Sequence, residues 1–123
     1  MIIGIGTDII EVERIAKAIE RRGHPFLDRL FTKQEQNYCL QHNISSRNFA
    51  GRFAAKEAIA KAFGTGIGGK VGWLDLEIAS DEFGKPYLKK CEKLESYFQN
   101  KKLLLSISHC KEYATAVAIW EVV

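Results

Sequence analysis

KLLLSISHCKEYATAVAIWEVV, Lys102–Val123, holds two apolar runs, KLLLSIS and YATAVAIWEVV, separated only by HCKE. β-branched and aromatic residues favour extended chain, and so short a connection joins antiparallel neighbours, because parallel strands need a crossover of about a dozen residues or more. The chain therefore closes on an antiparallel hairpin. Its near-continuous apolar content predicts burial on both faces.

The other end of the chain supplies a further strand. In IIGIGTDII, Ile2–Ile10, the residues Ile3, Ile5, Thr7 and Ile9 share one face, while Gly4, Gly6 and Asp8 share the other. Asp8 thus lies on a face with little side-chain cover. Val12, Ile15, Ala16 and Ile19 then recur at helical spacing, and Gly23 and Pro25 are stop signals. Thr32 with Glu35 matches a capping box for a second helix. Ser45 or Ser46 caps a third that runs to about Phe63, where glycines 64, 66, 68 and 69 end it. WLDLEIA, Trp73–Ala79, alternates as a strand; Gly84 and Pro86 mark a turn; Cys91, Leu94, Glu95 and Phe98 allow a last helix. These elements make an α+β fold, an antiparallel sheet packed with helices, in a single domain over residues 1–123.

Composition narrows the class of function. The apolar fraction of 46% and charged fraction of 27% are those of a globular protein, and a net charge of +3 is far below that of a dedicated nucleic-acid binder. Cys39, Cys91 and Cys110 are odd in number and lack CxxC spacing, so neither a disulfide framework nor a structural zinc site is expected. The apolar start carries two glycines and an aspartate, lacks a basic leader and is too short to span a bilayer. The expectation is a soluble, cytoplasmic protein with reduced thiols.

The middle of the chain, GRFAAKEAIAKAFGTG, Gly51–Gly66, carries the chemistry. On a helical wheel Ala55, Ile59, Ala62 and Phe63 form an apolar stripe, with Phe53, Glu57 and Lys61 largely opposite. Glu57 and Lys61 read equally as a solvated i,i+4 pair, worth about 0.2–0.5 kcal/mol. A different reading joins them to Asp8. Mg²⁺ takes one or two carboxylates and leaves its other positions to water and phosphates, which Asp8 and Glu57 satisfy. Arg52, Lys56 and Lys61 are candidates to neutralise phosphate, and the glycine exit allows close backbone approach. There is no GxxxxGK[ST] loop, and Gly4-Ile5-Gly6 is not a dinucleotide fingerprint.

Five blocks in this order, GIGTDIIEVERI, FTKQE, GRFAAKEAIAKAFGTGIG, FGKP and SISH, resemble the holo-acyl-carrier-protein synthases, the small bacterial type of 4′-phosphopantetheinyl transferase. The resemblance covers nearly the whole chain. It implies transfer of phosphopantetheine from coenzyme A to a serine of apo acyl carrier protein, with release of adenosine 3′,5′-bisphosphate, Mg²⁺ as the metal and a place in fatty acid biosynthesis. Carried over by position, Asp8 and Glu57 match the metal-binding acids and Lys61 the lysine near the phosphates, and these three are the implied catalytic residues. Arg52, Gly64, Thr65, Gly66, Lys85, Pro86, Ser108 and His109 fall in segments that line the coenzyme site. The family also implies a homotrimer with active sites between subunits.

Arg14, Lys17, Arg21, Arg22 and Arg29 concentrate on and just beyond the first helix. Such a run is commonly a solvated face, yet it would steer an acidic partner. The resemblance makes acyl carrier protein that partner, with Arg14 and Arg21 as contacts. Whether Glu57 or a water it orients accepts the serine proton stays open, as does a reading of the chain as a non-catalytic binding module for an acidic protein or nucleic acid. His24 and His42 read as surface residues, and nothing in the sequence makes Cys110 a nucleophile.

Overall fold

The terminal hairpin is the body of the sheet. In the computed structural model, which describes residues 1–123, strand β1 (Ile2–Glu11) is followed by helices α1 (Val12–Arg22), α2 (His24–Leu30), α3 (Lys33–Leu40) and α4 (Ser45–Phe63). Short strands β2 (Ile78–Ser80) and β3 (Pro86–Leu88) form a separate two-stranded ribbon, and β4 (Lys101–His109) and β5 (Tyr113–Val122) close the chain. The main sheet runs β1-β5-β4, antiparallel throughout, with Asp8 opposite Ala116 and Ala116 opposite Ile107.

The hairpin is buried on one face, not two. Ala114, Ala116, Ala118 and Trp120 lie in the core, while Tyr113 and Val117 keep 45% and 38% of their surface exposed. Ile3, Ile5, Ile9 and Leu104 are likewise exposed. Strand alternation assigns these residues to the face away from α4, so apolar content here marks an uncovered sheet surface, which sequence pattern does not distinguish from core.

Helix α4 is the pivot of the molecule, and its burial is broader than the single stripe on the helical wheel. Phe49, Ala50, Gly51, Arg52, Ala54, Ala55, Lys56, Ala58, Ile59, Ala60 and Ala62 are all buried. It lies against β1 with almost no clearance, since a Cβ on Gly4 would run into the carbonyl oxygen of Ala62 and one on Gly6 into that of Ala58. Glycine in the first strand is thus a packing requirement that brings α4 beside Asp8.

Several local expectations change. Gly23 ends α1, but Pro25 sits in the first turn of a further helix, α2, where its missing N–H costs nothing. The capping box is present: Thr32 Oγ1 accepts from Glu35 N at 3.2 Å, and Glu35 Oε1 accepts from Thr32 N at 2.9 Å. Helix α4 begins at Ser45 with Ile44 as its N-cap, so neither serine caps it. Trp73–Asp75 is a 3₁₀ turn held by Gly72 N donating to Asp75 Oδ2, and only Ile78–Ser80 of that segment is strand. Glu92–Phe98 is 3₁₀ as well.

One ion pair ties these pieces together. Lys56 Nζ, fully buried, donates to Glu35 Oε1 at 2.7 Å, to the Leu30 carbonyl at 2.6 Å and to the Trp73 carbonyl at 2.9 Å. The other oxygen of Glu35 accepts from Ile78 N at 2.8 Å. Burial pulls the Lys56 ammonium below its ordinary pKa, and Glu35 pushes it back. Lys56 is therefore a strut between α2, α3, α4 and β2, not a phosphate ligand. Beside it, burial pushes the Cys39 thiol up to about 12, which leaves it protonated and inert.

Candidate active site

Because α4 runs against the glycine face of β1, two residues one helical turn apart, Glu57 and Lys61, come up beside Asp8. Lys61 Nζ donates to Asp8 Oδ1 at 3.2 Å and to the Thr7 carbonyl at 2.9 Å, and about half of its side chain stays exposed (51%). The Asp8 carbonyl is fixed from the other side by Thr115 Oγ1 at 2.9 Å. Glu57 is held above the ordinary carboxylate range, first by burial and then by the charge of Asp8, with Lys61 pulling the other way. Two carboxylates that repel each other across an open, partly lysine-neutralised site suit a hard cation. Asp8 and Glu57 are the residues that would hold Mg²⁺ here, a cation that takes one or two carboxylates and otherwise water and phosphate oxygens.

The glycine exit is open to close approach at its Cβ positions, while its amides are already used. Gly64 closes α4 in the left-handed conformation at φ 82°, and the Thr65 and Gly66 amides both donate to the Ala60 carbonyl. Their N–H groups are therefore engaged in ending the helix. What Gly64 and Gly66 offer a ligand is open space, with nothing within 4 Å of either Cβ position.

A second cluster forms at the far edge of the sheet. Arg52, Pro86 and His109 line a cleft of about 130 Å³ together with Tyr38, Asn48, Gly51, Gly84 and Ile107. Arg52 is 5% exposed, donates from Nη2 to Ser80 Oγ at 2.8 Å and lies over the Tyr38 ring at 4.1 Å, while its buried Nε has no partner. Gly51 permits this arrangement, since a Cβ there would meet Ile107 Cγ2 at 3.0 Å. Lys85 belongs to the turn that Asp81 organises by accepting from Phe83 N and Lys85 N, and its side chain is exposed. Ser108 does not join the cluster. Alternation along β4 turns it to the opposite face from Ile107, into solvent. Cys110 is exposed and drawn below its ordinary pKa by the backbone amides of Tyr113 and Glu112, but it is not part of the cleft lining.

A groove of about 400 Å³ lies along α1. Its floor is Ile10, Ile15, Phe26 and Phe53, and its rim carries Arg14, Lys17, Arg21 and Arg22. Arg29 is not among these residues. Ile10 lies two residues beyond Asp8 on β1, and Phe53 one helical turn before Glu57 on α4, so the groove and the carboxylates share the same two elements. The aromatic floor is stiff, because Phe53 stacks on Trp73 at 4.9 Å. Sequence reading found the basic rim but missed the floor, and it missed Tyr38, Asn48 and Ser80 around Arg52. Only the capping box offered a signal, since it sets the phase of α3 and hence the direction of Tyr38.

A family model described as the 4′-phosphopantetheinyl transferase superfamily matches residues 4–118. The chain belongs to this superfamily. Among its relatives, a holo-[acyl-carrier-protein] synthase of Protochlamydia amoebophila is 53% identical over 120 residues, covering 98% of both chains. One from Chlamydia pneumoniae is 52% identical, covering 96% of both. Among solved structures of the same fold, a synthase of Bacillus anthracis in complex with CoA (3′,5′-ADP) superposes with a TM-score of 0.84 at 42% identity, over 100% of this chain and 99% of that one. A synthase of Neisseria meningitidis superposes with a TM-score of 0.90 at 35% identity, over 98% and 99%. The superfamily's fold is thus the α+β arrangement described above.

Proposed function

We propose that this chain is a holo-[acyl-carrier-protein] synthase, moving the 4′-phosphopantetheine group of coenzyme A onto a serine of apo acyl carrier protein and releasing adenosine 3′,5′-bisphosphate. The reading rests on one juxtaposition: Asp8, Glu57 and Lys61 meet on β1 and α4, the elements that also give Ile10 and Phe53 to a groove with an apolar floor and a basic rim. An acidic, amphipathic carrier fits that groove, with Arg14 and Arg21 steering it and the serine delivered to the carboxylates. Relatives at about half identity carry the same name, and a solved relative holds the coenzyme.

The reaction attacks a pyrophosphate with a hydroxyl, so the protein's work is positioning and charge stabilisation. Lys61, anchored at Thr7 and Asp8 and otherwise open, is placed to neutralise charge on the leaving bisphosphate. The serine proton goes to Glu57 or to a water that Glu57 orients, since either acceptor lies on the carboxylate side of the site. Bound between Asp8 and Glu57, Mg²⁺ would supply neutralisation of the pyrophosphate oxygens.

Arg52, Pro86 and His109 belong to the coenzyme site in this reading, yet they sit near β4, two strand spacings or about 10 Å from β1. A homotrimer resolves the separation, the carboxylate edge of one subunit meeting the Arg52 edge of the next, with the exposed Ile5, Ile9, Leu104 and Val117 covered in the assembly. A light-scattering mass of one subunit at assay concentration would remove that assembly. The transfer itself is tested by the intact mass of apo carrier after incubation with the protein, coenzyme A and Mg²⁺. A phosphopantetheine-sized gain that EDTA abolishes is expected; no gain on several carriers would overturn the reading.

A further inference from the structure

Arg52 is unusual among the basic residues of the molecule, because it is nearly inaccessible and yet incompletely paired. Its guanidinium has one hydrogen bond to a neutral hydroxyl, Ser80 Oγ, no carboxylate partner, and a buried Nε with none. A buried cation left in that condition is costly unless an anion completes it. Against it lies Tyr38, whose ring centroid is 4.1 Å from Cζ. Tyr38 is itself fixed from the other direction by His42, whose ring is 4.8 Å away and whose Nδ1 lies 2.9 Å from the Tyr38 carbonyl. A row of contacting side chains, His42, Tyr38 and Arg52, therefore runs from the surface into the cleft.

We propose that Tyr38 is a positioning residue for coenzyme recognition: its ring fixes the plane in which the Arg52 guanidinium meets a phosphate of the coenzyme. The inference rests on the transferase reading above. A guanidinium binds phosphate through a planar fork, so its orientation decides whether two N–H groups or one reach the oxygens. Tyr38 and Ser80 constrain that plane together, and Arg52 lines the cleft that a phosphate would enter. The ring surface carries the effect, and the phenol hydroxyl does not.

The test uses adenosine 3′,5′-bisphosphate binding by calorimetry on the whole protein, alongside coenzyme and carrier kinetics. Tyr38→Leu is expected to weaken bisphosphate binding and raise the coenzyme KM by about three- to tenfold, the size of a partly desolvated cation–π contact. Its kcat and carrier KM should move less than about twofold, and Tyr38→Phe should restore wild-type binding. In an Arg52→Gln background, Tyr38→Leu should add nothing further. Equal losses in Tyr38→Phe and Tyr38→Leu, a fall in kcat without a change in KM, or full additivity with Arg52→Gln would each overturn the proposal. If Tyr38→Leu fails to fold, Ser80→Ala gives the same KM-selective loss or refutes the shared-plane argument. Wild-type protein that neither binds bisphosphate nor modifies carrier would fell the transferase reading and this inference with it, whereas wild-type turnover with indifferent Tyr38 variants would fell this inference alone.

Discussion

Lys56 and Glu57 are adjacent in sequence and live in opposite surroundings. Lys56 and its partner Glu35 have no exposed side-chain surface, and their three ammonium contacts and their carboxylate oxygens are all satisfied inside the protein. The Lys61–Asp8 pair one turn away is 51% and 18% exposed, and Glu57 beside it is held against its own charge preference. A charged pair that the chain completes by itself is a structural strut. A pair left incomplete by the chain, with an opposing carboxylate, is a place for something that arrives from solution.

The largest effect should come from the strut. Lys56→Met leaves Glu35 buried without its cation and should cost about 3–5 kcal/mol of stability, read from urea denaturation. A loss below about 1 kcal/mol would erase the distinction between the two regions. The open site should show the reverse profile. Glu57→Ala is expected to lower carrier modification by about a hundredfold or more, in line with loss of one preorganised charge-stabilising group, while unfolding stays cooperative and native-like. An active Glu57→Ala enzyme would end the assignment.

Between these lies the basic groove. Arg14→Glu with Arg21→Glu should raise the carrier KM about tenfold and flatten its salt dependence, with bisphosphate binding unchanged in calorimetry. A pure kcat defect would move the docking surface elsewhere. The smallest effect is thermodynamic. Glu57 binds its proton more tightly folded than unfolded, so its ionisation opposes folding above the folded pKa, and that penalty is relieved as pH falls through it. Glu57→Gln should therefore melt above wild type at pH 7, with the gap closing as pH falls into the carboxylate range. Added Mg²⁺ should raise the wild-type Tm and leave the variant unmoved. A Glu57→Gln protein that melts below wild type at pH 7 would show the site to be as self-satisfied as the strut.

Much of this was readable in the sequence where the signal is local. The glycine face of β1, the Thr32–Glu35 box and the left-handed exit at Gly64 follow from patterns a few residues long. Helix α2 escaped because Gly23 and Pro25 are as good a start as a stop, and its 7 residues are too few to show a period. The fate of Lys56 escaped because Glu35 lies 21 residues away and Trp73 17. Ser108 could have been separated from His109 by alternation alone. That rule was outweighed by a motif that names the two together. The hairpin's outer face escapes pattern reading because an exposed apolar sheet surface has the composition of a core.

The contact between β1 and α4 also constrains how this chain can change length. With the Ala58 and Ala62 carbonyls seated where side chains of residues 6 and 4 would begin, α4 tolerates only glycine at those two places. A single-residue insertion between Gly6 and Asp8 would set the glycines and the carboxylate on opposite faces, so that either Asp8 turns outward or isoleucine is driven into the helix backbone. Between Gly4 and Asp8 the strand can lengthen only by whole two-residue steps, and only if glycine keeps its place against the helix.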